Sequence, residues 1–169
     1  PIITSSAFSA KENQKMIGVV NAQDDTIMSG QQLTYSIELS DDSSKVEIDE
    51  FTGYISFINE PDFEIPDDKN KDKIYTFTVK VNDGQLSAQK TISVTVTNDN
   101  DTPTKILLAQ NSVDENKPLF TKIGDFSTED QDVDTFFYSL VSGDGDTDNE
   151  NFIINGSTLK TKFVFEHYL

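Results

Sequence analysis

Four residues in succession, Asn98, Asp99, Asn100 and Asp101, follow the alternating run TISVTVT and end in DTPT. Their side chains offer carboxylate and amide oxygens, which hydrogen-bond water or hold a hard cation. More oxygens stand at fixed places along the chain: Glu12 in KEN, Asp62 and Glu64 in PDFE, and Asp130 and Asp132 in DQD. Carboxylates gathered at one point repel unless a cation neutralises them. The chain has no Cys and a single His, which speaks against zinc and leaves no thiol nucleophile. Magnesium demands a tight octahedron and keeps its waters. Calcium takes about 6–8 oxygens of mixed type in irregular geometry and fits this donor set best.

The composition points the same way. Thirty acidic residues against 13 basic ones, all Lys, give a formal net charge of −17. Such a surface attracts cations and repels phosphate backbones and anionic lipid, so neither nucleic acid nor a membrane surface is an expected partner. No apolar run reaches the length of a transmembrane helix, and the start, PIITSSAF, lacks the regions of a signal peptide.

The elements that must position these oxygens are strands. In IYTFTVKV, Tyr75, Phe77, Val79 and Val81 fall on one face and Thr76, Thr78 and Lys80 on the other, the period of a half-buried strand. After the turn Asn82-Asp83-Gly84, Ile92, Val94 and Val96 point inward and Thr91, Ser93 and Thr95 outward, so the pair reads as an antiparallel hairpin. Shorter strand runs stand at 33–37, 46–48 and 54–57, and no window carries a capped helical period.

The chain also repeats. Glu12-Asn13 recurs as Glu115-Asn116, Tyr35-Ser36 as Tyr138-Ser139 and Gly53 as Gly156, all 103 positions apart; Phe63-Glu64 recurs as Phe165-Glu166, 102 apart. A unit of about 100 residues made of short alternating strands has the size of a seven-stranded sandwich. The expected architecture is all-β, a tandem Greek-key β-sandwich with one complete unit, 1–102, and a partial one, 103–169. The counterpart of the 74–97 hairpin would fall beyond Leu169, so the sequence is expected to be part of a longer array with an exposed sheet edge in its second unit. In a sandwich the loops gather at two poles. Glu12, Asp62, Glu64 and the 98–101 run should meet at one pole, with Asp130 and Asp132 on the facing pole of the next unit.

The ordered set KEN, PDFE, VNDG, TVTNDNDTP and DQD resembles the cadherin repeat. The second copy, with SVDENKP, FFYSLVSGDGDTDNENFIINGSTLKT and FVFE, is similar to the cadherin-like repeats of large bacterial surface proteins and adhesins. The resemblance implies an immunoglobulin-like sandwich and interdomain calcium. Glu12, Asp62 and Glu64 match the upper-domain donors, Asn100 and Asp101 the centre of the linker, and Asp130 and Asp132 the lower-domain pair. Asn98 stands where the family has Asp, and Thr102 replaces the final Asn, whose backbone carbonyl is the donor in the family. For a junction with a preceding repeat, Asp24 and Asp83 match, Thr26 holds the second acidic position with Asp25 as its substitute, and Pro1 matches the linker Pro. In the second copy Glu115 and Glu166 match, while Val164 replaces the Asp.

Other motifs carry less. Asp144, Asp146 and Asp148 have EF-hand spacing, but Asn149 replaces the turn Gly and Asn155 stands in place of the closing Glu, so a solvated loop is expected. Asn155-Gly156-Ser157 is formally a glycosylation sequon and reads as a hairpin turn. His167 reads as a surface residue, no Ser has a base beside it, and an enzyme is not expected. The function that follows is an extracellular, cell-surface adhesion or structural module in which calcium stiffens a row of repeats. The alternatives are a polysaccharide-binding module or a passive spacer attached to a secreted carbohydrate-active enzyme. Trp is absent and most Phe and Tyr are expected on inward positions, which disfavours a sugar platform.

Overall fold

Residues 1–25 and 32–166 are described by the computed structural model; Thr26 and His167 lie outside them. The chain forms two compact units, Pro1–Asp99 and Asn100–Leu169, dividing within the polar run.

In the first unit the strands are β1 (Ile2–Ile3), β2 (Ala7–Lys11), β3 (Met16–Val19), β4 (Ala22–Gln23), β5 (Thr34–Glu38), β6 (Val46–Ile48), β7 (Tyr54–Phe57), β8 (Ile74–Asn82) and β9 (Ser87–Thr97). Among the described residues of this unit the helical element is a 3-10 turn at Ser43–Lys45. One sheet has the order β2-β9-β8-β5, with β2 and β9 parallel and the other pairs antiparallel; the second has the order β3-β7-β6, and β1 pairs with β4. The β8–β9 hairpin forms as its alternation requires: Tyr75, Phe77, Val79, Val81, Ile92, Val94 and Val96 are buried, and they meet Ile17, Val20, Val46, Ile55 and Phe57 of the other sheet. Fully burying an aliphatic or aromatic side chain of this kind is worth roughly 1.5–3 kcal/mol, so this layer dominates the unit's stability.

The second unit contains β10 (Lys105–Leu108), β11 (Lys122–Glu129), a 3-10 helix at Asp146–Asn151, β12 (Phe152–Asn155) and β13 (Thr158–Thr161), with the strands in one antiparallel sheet of order β10-β11-β13-β12. It repeats the β3-β7-β6 sheet in detail. A register shift between Met16 and Gly18 recurs between Lys122 and Gly124. Asn13 and Asn116 take left-handed φ of 57° and 56°, and Gly53 and Gly156 take 70° and 62°. The Val20 N–H donates to Gly53 O as the Phe126 N–H donates to Ser157 O, and the Ile58 N–H to Lys45 O as the Lys162 N–H to Asn151 O.

The other sheet has no counterpart among the described residues of the second unit. Residues 109–114 and 136–141, which correspond to β2 and β5, belong to no strand. The consequence is visible at the repeated tyrosine. A Cβ on Gly53 would lie 2.7 Å from Val20 O and 3.0 Å from the Tyr35 ring, so Tyr35 covers that glycine. Gly156 has nothing within 4 Å among the described residues. Tyr138 instead stacks on Phe126, with centroids 5.2 Å apart, and its hydroxyl bonds Thr128 Oγ1. Phe120, Phe137 and Phe163 of this unit are exposed, against the expectation that most Phe and Tyr face inward.

Candidate metal centre

Glu12 follows directly on β2. Its N–H still donates to Thr97 O of β9, and the left-handed Asn13 then turns the chain, with its own N–H on Pro61 O at 3.0 Å. The carboxylate of Glu12, only 2% exposed, faces the PDFE segment and the end of β9. Its Oε2 accepts from the Phe63 N–H at 2.7 Å and its Oε1 from the Asp99 N–H at 2.9 Å. A carboxylate oxygen of Glu64 lies within 4.8 Å of one from Glu12, and Glu64 Oε1 accepts from Asn98 Nδ2 at 3.0 Å. Asp62 Oδ1 accepts from the Ile65 N–H and fixes the turn that presents Glu64. Glu12, Asp62, Glu64 and Asn98 thus share one end of the first unit. Asp99, the remaining acid of the run, pairs with Lys11 at 2.7 Å, and its contribution is the backbone N–H that orients Glu12. Neither this N–H nor that of Phe63 leaves a mark in residue types, so sequence reasoning had no signal for them.

The remaining donors belong to the second unit. Pairing of Lys105 with Glu129, reinforced by the Thr104 N–H on Glu129 O, carries the chain before β10 past the end of β11. The Asp101 N–H reaches Asp132 Oδ2 at 2.5 Å, and the Asp132 N–H reaches Asp130 Oδ1 at 2.9 Å. Asp130 Oδ2 is buried and has no hydrogen-bond partner, an anionic oxygen with its solvation removed and nothing protonic in exchange. Asn100 donates to Asp101 O, and Thr102 is exposed.

At the start of the chain Asp24 Oδ2 lies 2.7 Å from the Pro1 ammonium. Asp83 is 7% exposed, and its Oδ1 accepts from the Gln85 and Leu86 N–H groups. The hydrogen bond to Asp24 raises the pKa of the ammonium; burial opposes this, and the charges of Asp24, Asp83 and Asp25 add to it. The rival motifs are plain structure: Gly143–Gly145 is an exposed stretch leading into a 3-10 helix at Asp146–Asn151, with Asp146 Oδ2 accepting from the Gly143 N–H, and Gly156-Ser157 is the turn between β12 and β13. Glu115 is exposed, unlike its buried counterpart Glu12, because residues 109–114 have no sheet to anchor them.

These residues suit a hard cation. Both units offer carboxylates held by backbone N–H groups with lone pairs to spare, and one oxygen is buried without a donor. The residues concerned are Glu12, Asp62, Glu64 and Asn98 in the first unit and Asn100, Asp101, Thr102, Asp130 and Asp132 in the second; a hard cation held by either group would neutralise its carboxylates.

The fold is cadherin-like, a chain of β-sandwich type with its polar run between two units. No protein-family model matches the chain, and no curated protein does. Among solved structures, it is similar to extracellular cadherin domains 3–6 of protocadherin gamma B2, with TM-score 0.58, 24% identity, and coverage of 98% of this chain and 39% of that one. It is also similar to domains EC1–2 of human protocadherin-24, with TM-score 0.68, 17% identity and coverage of 98% and 79%. A third is Drosophila N-cadherin EC1–4, with TM-score 0.63, 15% identity and coverage of 95% and 40%. At these identities the likeness concerns the fold. No helix among the described residues is long and apolar enough to cross a membrane.

Proposed function

We propose that the chain is an extracellular calcium-binding module of an adhesive or structural surface protein, in which calcium joins the donors of the first unit to those of the second. The observation that carries the reading is that both units carry carboxylates held by backbone N–H groups, Glu12 and Glu64 in one and Asp101, Asp130 and Asp132 in the other, with Asp130 Oδ2 buried and lacking a donor. Calcium takes roughly 6–8 oxygens of mixed type and would draw them from both. With the ion bound, repulsion between the carboxylates is cancelled and the polar run becomes a stiff join. Without it the same charges push apart. Extracellular modules of this kind bind at roughly 10⁻⁴–10⁻³ M, so stiffness would follow the calcium level outside a cell.

A second junction of the same kind with a preceding repeat would use Asp24, Asp25 and Asp83, of which Asp83 is 7% exposed and takes the Gln85 and Leu86 N–H groups on one oxygen. The narrower likeness to bacterial surface repeats rests on the motifs of the second copy. Lack of any base beside a nucleophile in the sequence supports a non-enzymatic role. Scattering and thermal melting with calcium and with chelator test the proposal. Calcium should raise the melting temperature and narrow the distribution of interdomain distances; unchanged curves would leave no bridging role. A polysaccharide-binding role, favoured only by the exposed Phe120, Phe137 and Phe163, predicts retardation on polysaccharide gels that is lost when those rings are removed.

A further inference from the structure

We infer, on the calcium-binding reading above, that Asn98 sets the calcium threshold of the first unit: its carboxamide holds Glu64 while the ion is absent and has to release it when the ion binds. The backbone fixes the place. Strand β9 ends at Thr97, whose carbonyl accepts the Glu12 N–H at 3.0 Å, and Asp99 donates its N–H to Glu12 Oε1 at 2.9 Å. Asn98 is thereby held on both sides, and its exposed side chain is the part that can adjust. Glu64 is half-buried and presented by the turn that Asp62 closes on the Ile65 N–H. One of its carboxylate oxygens lies within 4.8 Å of one from Glu12.

Asn98 Nδ2 donates to Glu64 Oε1 at 3.0 Å. Chemistry forces this direction, since a carboxylate only accepts and the amide must offer its NH2 edge. A cation asks for the opposite edge: it is bound by oxygen lone pairs, so Asn98 can ligate it only through Oδ1. The terminal torsion of Asn is broad and roughly two-fold, so half a turn about Cβ–Cγ exchanges the two edges. Calcium that takes Glu64 therefore has to break a charge-assisted hydrogen bond before it gains the amide oxygen.

A carboxylate at position 98 would invert both effects. It would repel Glu64 and Glu12 while the ion is absent and add charge to the donors when it is present. Calcium affinity is tuned over orders of magnitude by the number of charged ligands. Asn98 thus exchanges affinity for an ion-free state that holds together. In that state Glu12 is met by the Phe63 and Asp99 N–H groups, Asp99 by Lys11 at 2.7 Å, and Glu64 by Asn98. The consequence is a first unit that stays ordered when calcium is scarce and responds only when it is abundant.

The test compares the chain of residues 1–169 with its Asn98→Asp, Glu64→Gln and doubly substituted variants, first in chelator and then titrated with calcium chloride alone. In chelator, Asn98→Asp should lower the melting temperature. Adding Glu64→Gln should restore it, because the double change re-forms the hydrogen bond with donor and acceptor exchanged. Glu64→Gln alone should stay close to the parent, since an amide oxygen accepts the same bond. With calcium, the Asn98 side-chain NH2 resonances of the parent should shift along the same curve as the Phe63 and Asp99 backbone amides. Asn98→Asp should lower the calcium midpoint about tenfold. An unchanged melting temperature for Asn98→Asp in chelator, or no rescue in the double variant, would overturn the inference. A calcium response with equal midpoints in parent and Asn98→Asp would overturn it while leaving the calcium reading in place. No response in either chain would remove both.

Discussion

The two units fold the same three-stranded sheet and differ in what lies on it. In the first, the β8–β9 hairpin brings a fully buried layer over Ile17, Val46, Ile55 and Phe57. Among the described residues of the second, the bulge, the left-handed Asn116 and the hairpin turn at Gly156 are all in place, and Phe152 and Leu159 are half-buried. Local signals thus suffice to shape the sheet, because a bulge and a positive φ are decided within a few residues. Burial is decided elsewhere, by the hairpin. The functional oxygens follow the same division. Glu12 is held and buried because β2 is zipped to β9, whereas Glu115, in the same local sequence, is exposed.

Four experiments break or sharpen this contrast. Phe77→Ala should destabilise the first unit by about 3–5 kcal/mol in urea unfolding, while Phe137→Ala, at a side chain that is 92% exposed, should stay within about 0.5 kcal/mol. Equal effects would mean that the two units share one core. Gly53→Ala should cost more than Gly156→Ala: both need a left-handed φ, worth about 1–2 kcal/mol, but only Gly53 also has Val20 O and the Tyr35 ring against it.

Glu12→Ala, measured in chelator, strands the Phe63 and Asp99 N–H groups and should cost about 1–3 kcal/mol. Glu115→Ala, at an exposed carboxylate, should be close to neutral. The smallest effect concerns acid. Burial raises the pKa of Asp67, but hydrogen bonds from Lys45 and from the buried Tyr75 outweigh it and hold the group below the usual carboxylate range. A depressed pKa contributes stability that is present above the ordinary value and lost as pH falls through the lower folded value. The first unit should therefore loosen around Tyr75 only in strong acid, and Asp67→Asn should flatten that part of the pH profile. Asp125, lowered by Lys122 and then by Thr158, places the second unit's acid response in the same window, but on an exposed pair with no link to a core.

Much of this was legible in the residues. The β8–β9 hairpin follows from strict alternation, and the 103-residue offset matched Asn13 with Asn116, which share a left-handed φ; Gly53 and Gly156 are both left-handed, but the ladder bonds put Ser157 in the place of Gly53. Strands β3 and β11 were harder to see because a bulge at Gly18 and Gly124 breaks their alternation. The sequence could suggest that Glu12, Asp62 and Glu64 lie together, since their segments end or follow strands. It could not show that two backbone N–H groups clamp Glu12, that Lys11 claims Asp99, or that Tyr138 abandons the place of Tyr35. Those outcomes depend on distant backbone and on a sheet that one copy has and the other lacks.

The central claim is that calcium joins donors from both units. Hydrogen exchange of the chain of residues 1–169 in millimolar calcium against chelator reads this directly at residues 10–14, 61–65, 98–102 and 128–133. The account predicts calcium-dependent protection at all four segments together, removed at all four by Asp101→Asn. Protection confined to one unit, or none at any segment, would contradict it.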